Sequence, residues 1–290
     1  MLRFENVSVS YPSGESLRCI LDDISLDIEP GEFVTLIGQT GSGKTTMLRL
    51  ALGQELPSRG RVTMDGAEIR EPDRHRGYVP QKYSLFPDKT VLDNVTFGLE
   101  VQQFSLIGRV TPAFFRARRG FRREAMAQLV SMGLRRTDAA KYPDELSGGM
   151  QQRVAIAQAL IARPRILLMD EAFSALDPNT RAGMQDLLLD LWRATGTTIL
   201  FVTHNISEAV YLGSRVIALS RNYAGGDSDR AGSRVVLDME LPKADNRGFK
   251  HSGEFSGLVN LVESAMEPAG DVGQDGILRA DCQSAQTCRE

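Results

Sequence analysis

An α/β fold, with a mostly parallel sheet and a helical insertion, follows from two patterns in the chain. Short apolar or β-branched runs alternate with helical stretches over much of the sequence, which is the arrangement that places parallel strands under helices. Between residues 90 and 160 the alternation stops and the sequence reads mainly as helix. That stretch is expected to be a helical subdomain inserted into the α/β core.

The elements follow in order. Leu2, Phe4, Val7 and Val9 alternate loosely, and Ile24 to Ile28 alternate cleanly, as strands with one buried face do. Pro30-Gly31 makes a turn. Phe33 to Ile37 is nearly continuous, as in a strand buried on both faces. A helix from Gly43 to about Leu52 follows, and then Arg61 to Gly66 reads as a hairpin strand with an Asp-Gly turn. Within the helical stretch, Gln102 to Gly120 is expected to be irregular because it contains Gly108, Pro112 and Gly120. Ile166 to Asp170 is the next buried strand. Asp177-Pro178 starts a helix, Asp as cap and Pro in the first turn, and Gly196 ends it. Thr197 to Thr203 is a strand, a helix begins near Ile206, and Arg215 to Ser220 is a strand. Beyond Ser220 the chain is rich in Gly, Asp and Arg. Val235 to Leu241 reads as a strand, Phe255 to Met266 as a short helix and residues 269–290 as a loose tail.

Composition narrows the class. The chain is 42% hydrophobic with a formal net charge of -3, so bulk attraction to nucleic acid is not expected. Its longest apolar runs, Thr198 to Val202 and Ile166 to Met169, fall far short of the roughly 20 residues that cross a bilayer. The first residues lack the apolar core of a secretory signal. Cysteine is confined to Cys19, Cys282 and Cys288, which points to a reducing cytoplasm. The last two have no nearby histidine and read as plain tail thiols.

The chemistry begins at Gly38-Gln39-Thr40-Gly41-Ser42-Gly43-Lys44-Thr45, which matches the P-loop pattern G-x-x-x-x-G-K-[ST]. Glycines let backbone N–H groups turn inward around an anion, Lys44 reaches the outer phosphates, and Thr45 offers a hydroxyl to magnesium. The helix that opens here points its positive end at the phosphates. The strand Ile166 to Asp170 ends in a carboxylate suited to magnesium, and Glu171 follows where it can polarise water. The fold class is thus a P-loop NTPase.

Leu146-Ser147-Gly148-Gly149-Met150-Gln151-Gln152-Arg153 resembles the signature motif of ATP-binding cassette (ABC) ATPases, and the motif order agrees: P-loop, signature, Asp-Glu strand, histidine. On their own, Ser147, Gly148 and Gly149 would cap a helix running to about Leu160 and present free N–H groups to a phosphate. The resemblance covers roughly residues 1 to 220. It implies a mostly parallel sheet with an antiparallel β subdomain, a helical subdomain at about 90–160, and a short C-terminal extension at 221–290. It implies ATP and Mg2+ as ligands, and a head-to-tail dimer in which each ATP lies between one copy's P-loop and Ser147 to Gly149 of the other. Thr46 joins the nucleotide-binding residues. Tyr11 resembles the aromatic that stacks on adenine. Gln81 resembles the glutamine that senses magnesium and faces a transmembrane partner. Asp177 resembles a residue acting across the dimer, besides capping its helix. His204 resembles the histidine that contacts the γ-phosphate. Catalysis would then rest on Lys44, Glu171 and His204, with Thr45, Gln81 and Asp170 at the metal.

Two positions depart from the family. Ala172 stands where Pro is frequent, and Gln102 to Phe121 is longer than usual. The segments Arg76 to Gln81, Leu85 to Pro87 and Thr90 to Glu100 are similar to the nitrate, sulfonate and taurine importer ATPases. The resemblance therefore implies the ATP-hydrolysing motor of a bacterial importer, peripheral at the cytoplasmic face of the inner membrane. Its partners would be permease subunits and, indirectly, a substrate-binding protein. A motor for export or lipid movement, or a soluble ABC ATPase, is the alternative. Arg116, Arg118, Arg119, Arg122 and Arg123 form a basic cluster that reads as a solvated helix start and loop; a surface for anionic lipid headgroups near the membrane partner is the alternative.

Overall fold

The computed structural model describes residues 1–14, 16–82, 84–105, 107–221, 232–242, 249–266 and 278–280. The chain divides into two compact units, one made of 1–72 with 198–290, the other of 73–197.

In the first unit, β1 (Leu2–Ser13) and β2 (Ser16–Ile28) form an antiparallel hairpin with Phe4 opposite Leu26. Leu2, Phe4, Val7 and Val9 of β1 are buried, as are Ile24, Leu26 and Ile28 of β2. The loose alternation of β1 has a physical cause. Asn6 adopts a left-handed φ of 49° and the register shifts between Phe4 and Val7, so a bulge resets the inward face. Next comes β3 (Phe33–Gly38), buried at all six positions, followed by α1 (Lys44–Leu52). On the other side of β1 lies β4 (Arg59–Met64), which turns through Asp65 and Gly66, both at positive φ, into β5 (Ala67–Glu68). The resulting antiparallel sheet has the order β2-β1-β4-β5.

The second unit runs β6 (Arg76–Val79), α2 (Val91–Gln103), α3 (Pro112–Ser131), α4 (Gly148–Leu160), β7 (Ile166–Asp170) and α5 (Pro178–Thr195). β6 and β7 pair in parallel, Val79 beside Met169. The expectation of irregular chain up to Gly120 needs correction, because α3 begins at Pro112. Thr111 caps it through Phe114 N–H, with Pro at the first turn. Phe114, Phe121, Ala125 and Leu129 lie at helical spacing and are buried. Their burial outweighs the ~1 kcal/mol that a mid-helix glycine costs. Arg118 spans to Glu100 (2.8 Å) and Asp93 (3.2 Å), and Arg122 to Asp93 (2.7 Å), fastening α3 to α2.

The chain returns to the first unit with β8 (Thr198–Val202), α6 (Ile206–Leu212), β9 (Arg215–Ser220), β10 (Arg234–Glu240), α7 (Gly253–Met266) and β11 (Leu278–Ala280). β8 and β9 flank β3 in parallel, while β10 runs antiparallel to β9. The Arg215 guanidinium grips Asp238 with two bonds of 2.6 and 2.7 Å across β9 and β10. Of the tail expected to be loose, Leu278–Ala280 instead pairs in parallel with β10. The rest of 269–290, including Cys282 and Cys288, lies outside the described residues, as does the Gly-, Asp- and Arg-rich stretch 222–231.

Asp138 organises the turn between α3 and α4. Its carboxylate accepts from Lys141 Nζ (2.7 Å) and from the Arg135 N–H (3.0 Å). Chiefly through the Lys141 bond, its pKa falls to about 2. The unfolded value is about 4, so the stabilisation is complete above that pH and is lost as pH falls through the folded value. The urea midpoint of Asp138→Asn should therefore lie below the parent's by a constant margin from neutral pH down to about 5, a margin that narrows below about 4. A margin independent of pH in titrated urea melts would show that the carboxylate's charge contributes nothing.

Candidate active site

The phosphate loop is built by a buried strand that ends abruptly. After Gly38 the chain leaves β3, turns with Gly41 at φ 80° and Gly43 at φ 90°, and enters α1. Two of these glycines are required sterically. A Cβ on Gly38 would collide with Ser42 Oγ and the Leu219 carbonyl, and one on Gly43 with the Leu21 side chain. No side chain caps α1 and its first turn holds no acidic residue, so its N–H groups face an anion site with no built-in competitor. Lys44 is buried and folds back over the loop, its Nζ donating to the carbonyls of Gly38 (2.8 Å) and Gln39 (3.0 Å). The buried Ser42 hydroxyl has no hydrogen-bond partner among the described residues. An anionic oxygen in the loop would satisfy it, so the loop fits a phosphate.

Thr45 is exposed at the start of α1, whereas Thr46 is buried. Tyr11, half-buried on β1, lies by Thr46 and Glu55; burial, then Glu55, pushes its hydroxyl pKa up.

His204 emerges beside this loop. β3 and β8 pair with Leu36 opposite Val202, and Thr203 N–H donates to the Leu36 carbonyl at 3.1 Å. Adjacent strands lie about 5 Å apart, so the loop after β3 and the histidine after β8 share the carboxyl edge of one parallel sheet, where ligands of such sheets bind. Residues 203 to 208 form a rigid bracket for the exposed histidine. The Thr203 hydroxyl donates to buried Glu208 (2.6 Å) and accepts the Asn205 N–H (3.1 Å), and Asn205 Oδ1 accepts the Glu208 N–H (2.9 Å). The sequence reading did not single out Thr203 or Glu208. Asn205 at the cap with Glu208 three residues on is a readable signal, although the glutamate turns to Thr203 instead of closing a capping box. Arg221 was also missed. It donates to the Gly41 carbonyl (3.0 Å), a contact from a distant strand end that no local pattern announces.

In the second unit, β7 is buried throughout and delivers Asp170 at its end. Glu171 then adopts φ 45°, a left-handed conformation that is uncommon for a residue with a side chain and that clusters at functional positions. Gln81 Nε2 donates to Glu171 Oε2 at 3.0 Å. Gln81, expected at the metal, is thus positioned by a direct bond to the expected catalytic carboxylate. Ala172 packs as a buried residue.

Ser147 caps α4, accepting the Met150 N–H at 3.4 Å. Gly149 is buried where α4 meets the start of α5, so close that a Cβ would collide with Thr180 Cγ2. Thr180 is held in turn by Asp177. Bonds from the Thr180 side chain and backbone to Asp177 hold that carboxyl's pKa below its ordinary value. Ser147 to Gly149 and Asp177 are therefore brought together through one threonine.

Residues 21–174 match the family described as ABC transporter. The chain belongs to that family. This ABC protein is 41% identical over 251 residues to the nitrate import ATP-binding protein NrtD of Synechocystis sp., covering 84% of this chain and 89% of that one. It is 40% identical over 246 residues to the taurine import ATP-binding protein TauB of Pseudomonas putida, covering 80% and 88%. It is 39% identical over 235 residues to the aliphatic sulfonates import ATP-binding protein SsuB of Bacillus licheniformis, covering 81% and 84%. A solved structure of an ATP-binding cassette, a dimer in a post-hydrolysis state bound to ADP and Pi, superposes with a TM-score of 0.68. Its identity is 32%, and the match covers 84% of this chain and 100% of that one. The fold is that of an ABC ATPase cassette.

The contact between Gly149 and Thr180 gives this ABC protein a testable coupling. Gly149→Ala should lower the melting temperature and the ATPase rate, because Thr180 cannot rotate away without giving up its bond to Asp177. Adding Thr180→Ser removes the obstructing methyl, keeps the hydroxyl, and should restore most of both losses. Failure of the second substitution to rescue would show that the Cγ2 collision is not the cause.

Proposed function

We propose that this chain is the ATP-hydrolysing motor of an importer of the nitrate, sulfonate and taurine type. The observation that carries the nucleotide reading is the loop 38–45, with its buried unpartnered Ser42 hydroxyl, its uncapped helix start and Lys44 poised over its carbonyls. Backbone N–H groups and Lys44 hold the phosphates and neutralise charge as the γ-phosphate departs. Glu171, oriented by Gln81, positions and deprotonates the attacking water. His204, on a segment braced by Thr203 and Glu208, contacts the γ-phosphate, and Tyr11 stacks on adenine.

Among the described residues no cluster of three His, Cys, Asp or Glu could hold a metal by itself. In this reading Mg2+, bound mainly through substrate phosphates and water, would take the hydroxyl of Thr45, the carboxylate of Asp170 and the amide oxygen of Gln81. That ion would supply charge neutralisation at the phosphates.

The importer reading is supported by relatives named for nitrate, sulfonate and taurine import. In this reading residues 1–220 form the ATPase domain, with its helical subdomain at 90–160, and 221–290 are an extension. Two copies meet head to tail, so that Ser147, Gly148, Gly149 and Asp177 of one complete the ATP site of the other. No described helix is long and apolar enough to cross a membrane. In the importer reading the motor works at the cytoplasmic face on separate permease subunits, which a substrate-binding protein loads.

Glu171→Gln should leave ATP binding intact while lowering steady-state turnover by about a hundredfold or more. Normal hydrolysis by that variant would remove Glu171 from the mechanism. Purified from native membranes with ATP, the same variant should carry a multi-span permease identifiable by mass spectrometry. Recovery with soluble proteins alone would overturn the transport assignment.

A further inference from the structure

The helical part of the second unit carries a surface that ATP chemistry does not use. Between Val101 and Arg123 there is no aspartate or glutamate, although the whole chain has a net charge of -3. The structure sorts the arginines of this stretch into two groups. Arg118 and Arg122 are spent on Asp93 and Glu100, and Arg109 stacks on the Phe97 ring at 5.4 Å. Arg116, Arg119 and Arg123 are exposed and make no ion pair among the described residues. Their spacing of three and four places them along one face of α3.

Beside them the molecule exposes large apolar side chains. Ile107 is 83% exposed, Val110 77% and Phe115 59%, with Ile107 and Val110 on a single 3-10 turn just before α3 and Phe115 one turn from Arg119. These side chains protrude into solvent. Folding leaves them largely in water, so most of the stabilisation their burial could supply is not realised within their own unit.

We propose that this face docks on an anionic lipid surface, with Ile107, Val110 and Phe115 entering the headgroup boundary and Arg116, Arg119 and Arg123 meeting lipid phosphates. Protruding apolar side chains bordered by unpaired cations are the pattern of interfacial membrane binding. The absence of any carboxylate across the whole stretch is the charge complement of such a surface. Each arginine near it is worth about a fivefold gain in affinity. The inference does not depend on hydrolysis and extends the proposed function by giving the motor its own hold on the bilayer.

The test uses the purified full chain without a permease, floated with phosphatidylcholine vesicles that contain or lack phosphatidylglycerol. The chain should bind the anionic vesicles, release with rising salt and ignore the neutral ones. Arg116→Gln, Arg119→Gln and Arg123→Gln together should weaken binding on the order of a hundredfold, while the three Arg→Lys substitutions should preserve it, because a lipid surface reads charge and not guanidinium geometry. Ile107→Ser, Val110→Ser and Phe115→Ser together should weaken it at least about tenfold. All three variants should keep the parent's basal ATPase rate, which also shows that they fold. Equal binding to both vesicle types, or unchanged binding by the Gln variant, overturns the proposal. So does an absence of binding to the anionic vesicles; if the Gln variant then also loses permease co-purification, the face belongs to a protein partner.

Discussion

The parallel pairing of β3 with β8 is the constraint on which the first unit depends. Both strands are buried at every position, so their backbone groups must be satisfied by neighbouring strands and their side chains by helices on either face. Chain direction then has a chemical result. Parallel strands end together, and both the phosphate loop and His204 leave from that common edge. Neither needs a long connection to reach the other, and both leave from strands that are buried throughout. In the second unit β7 does the same for Asp170 and Glu171, with β6 bringing the Gln81 segment alongside.

Around these strand ends the molecule spends polar side chains on positioning. Lys44 is held by loop carbonyls, Glu171 by Gln81, His204's neighbours by the set of Thr203, Asn205 and Glu208, and Thr180 by Asp177. Such bonds contribute modestly to stability where water competes for the same groups. Their larger effect is to limit the rotamers that a functional group can sample before substrate arrives.

Much of this was legible because the motifs are local. The P-loop, the Asp-Glu strand and the Ser147 cap each occupy a contiguous stretch whose backbone requirements are written in glycine, β-branched and capping residues. The misjudged places are those where a local signal was ambiguous or the partner was remote. Gly120 suggests a break, yet Thr111-Pro112 and the buried spacing of Phe114, Phe121 and Ala125 decide for helix. Leu278–Ala280 has too little sequence to declare a strand and exists only because β10 offers an edge. The bond between Gln81 and Glu171, and the reach of Arg221 to Gly41, join residues far apart in the chain, so no window of sequence contains them. Which arginines of α3 are spent internally and which are left over is likewise a three-dimensional fact.

The inward fold of Lys44 has a consequence for which nucleotides the loop retains. Its ammonium already has two good acceptors in Gly38 and Gln39, so a ligand gains most from this residue when it offers acceptors better than neutral carbonyls. A terminal phosphate with its negative charges does so, and a lone α-phosphate that stops short of the ammonium does not. Lys44 therefore rewards a ligand for phosphate number. The same ammonium separates a triphosphate from a monophosphate carrying the same base, a distinction that base recognition alone cannot make.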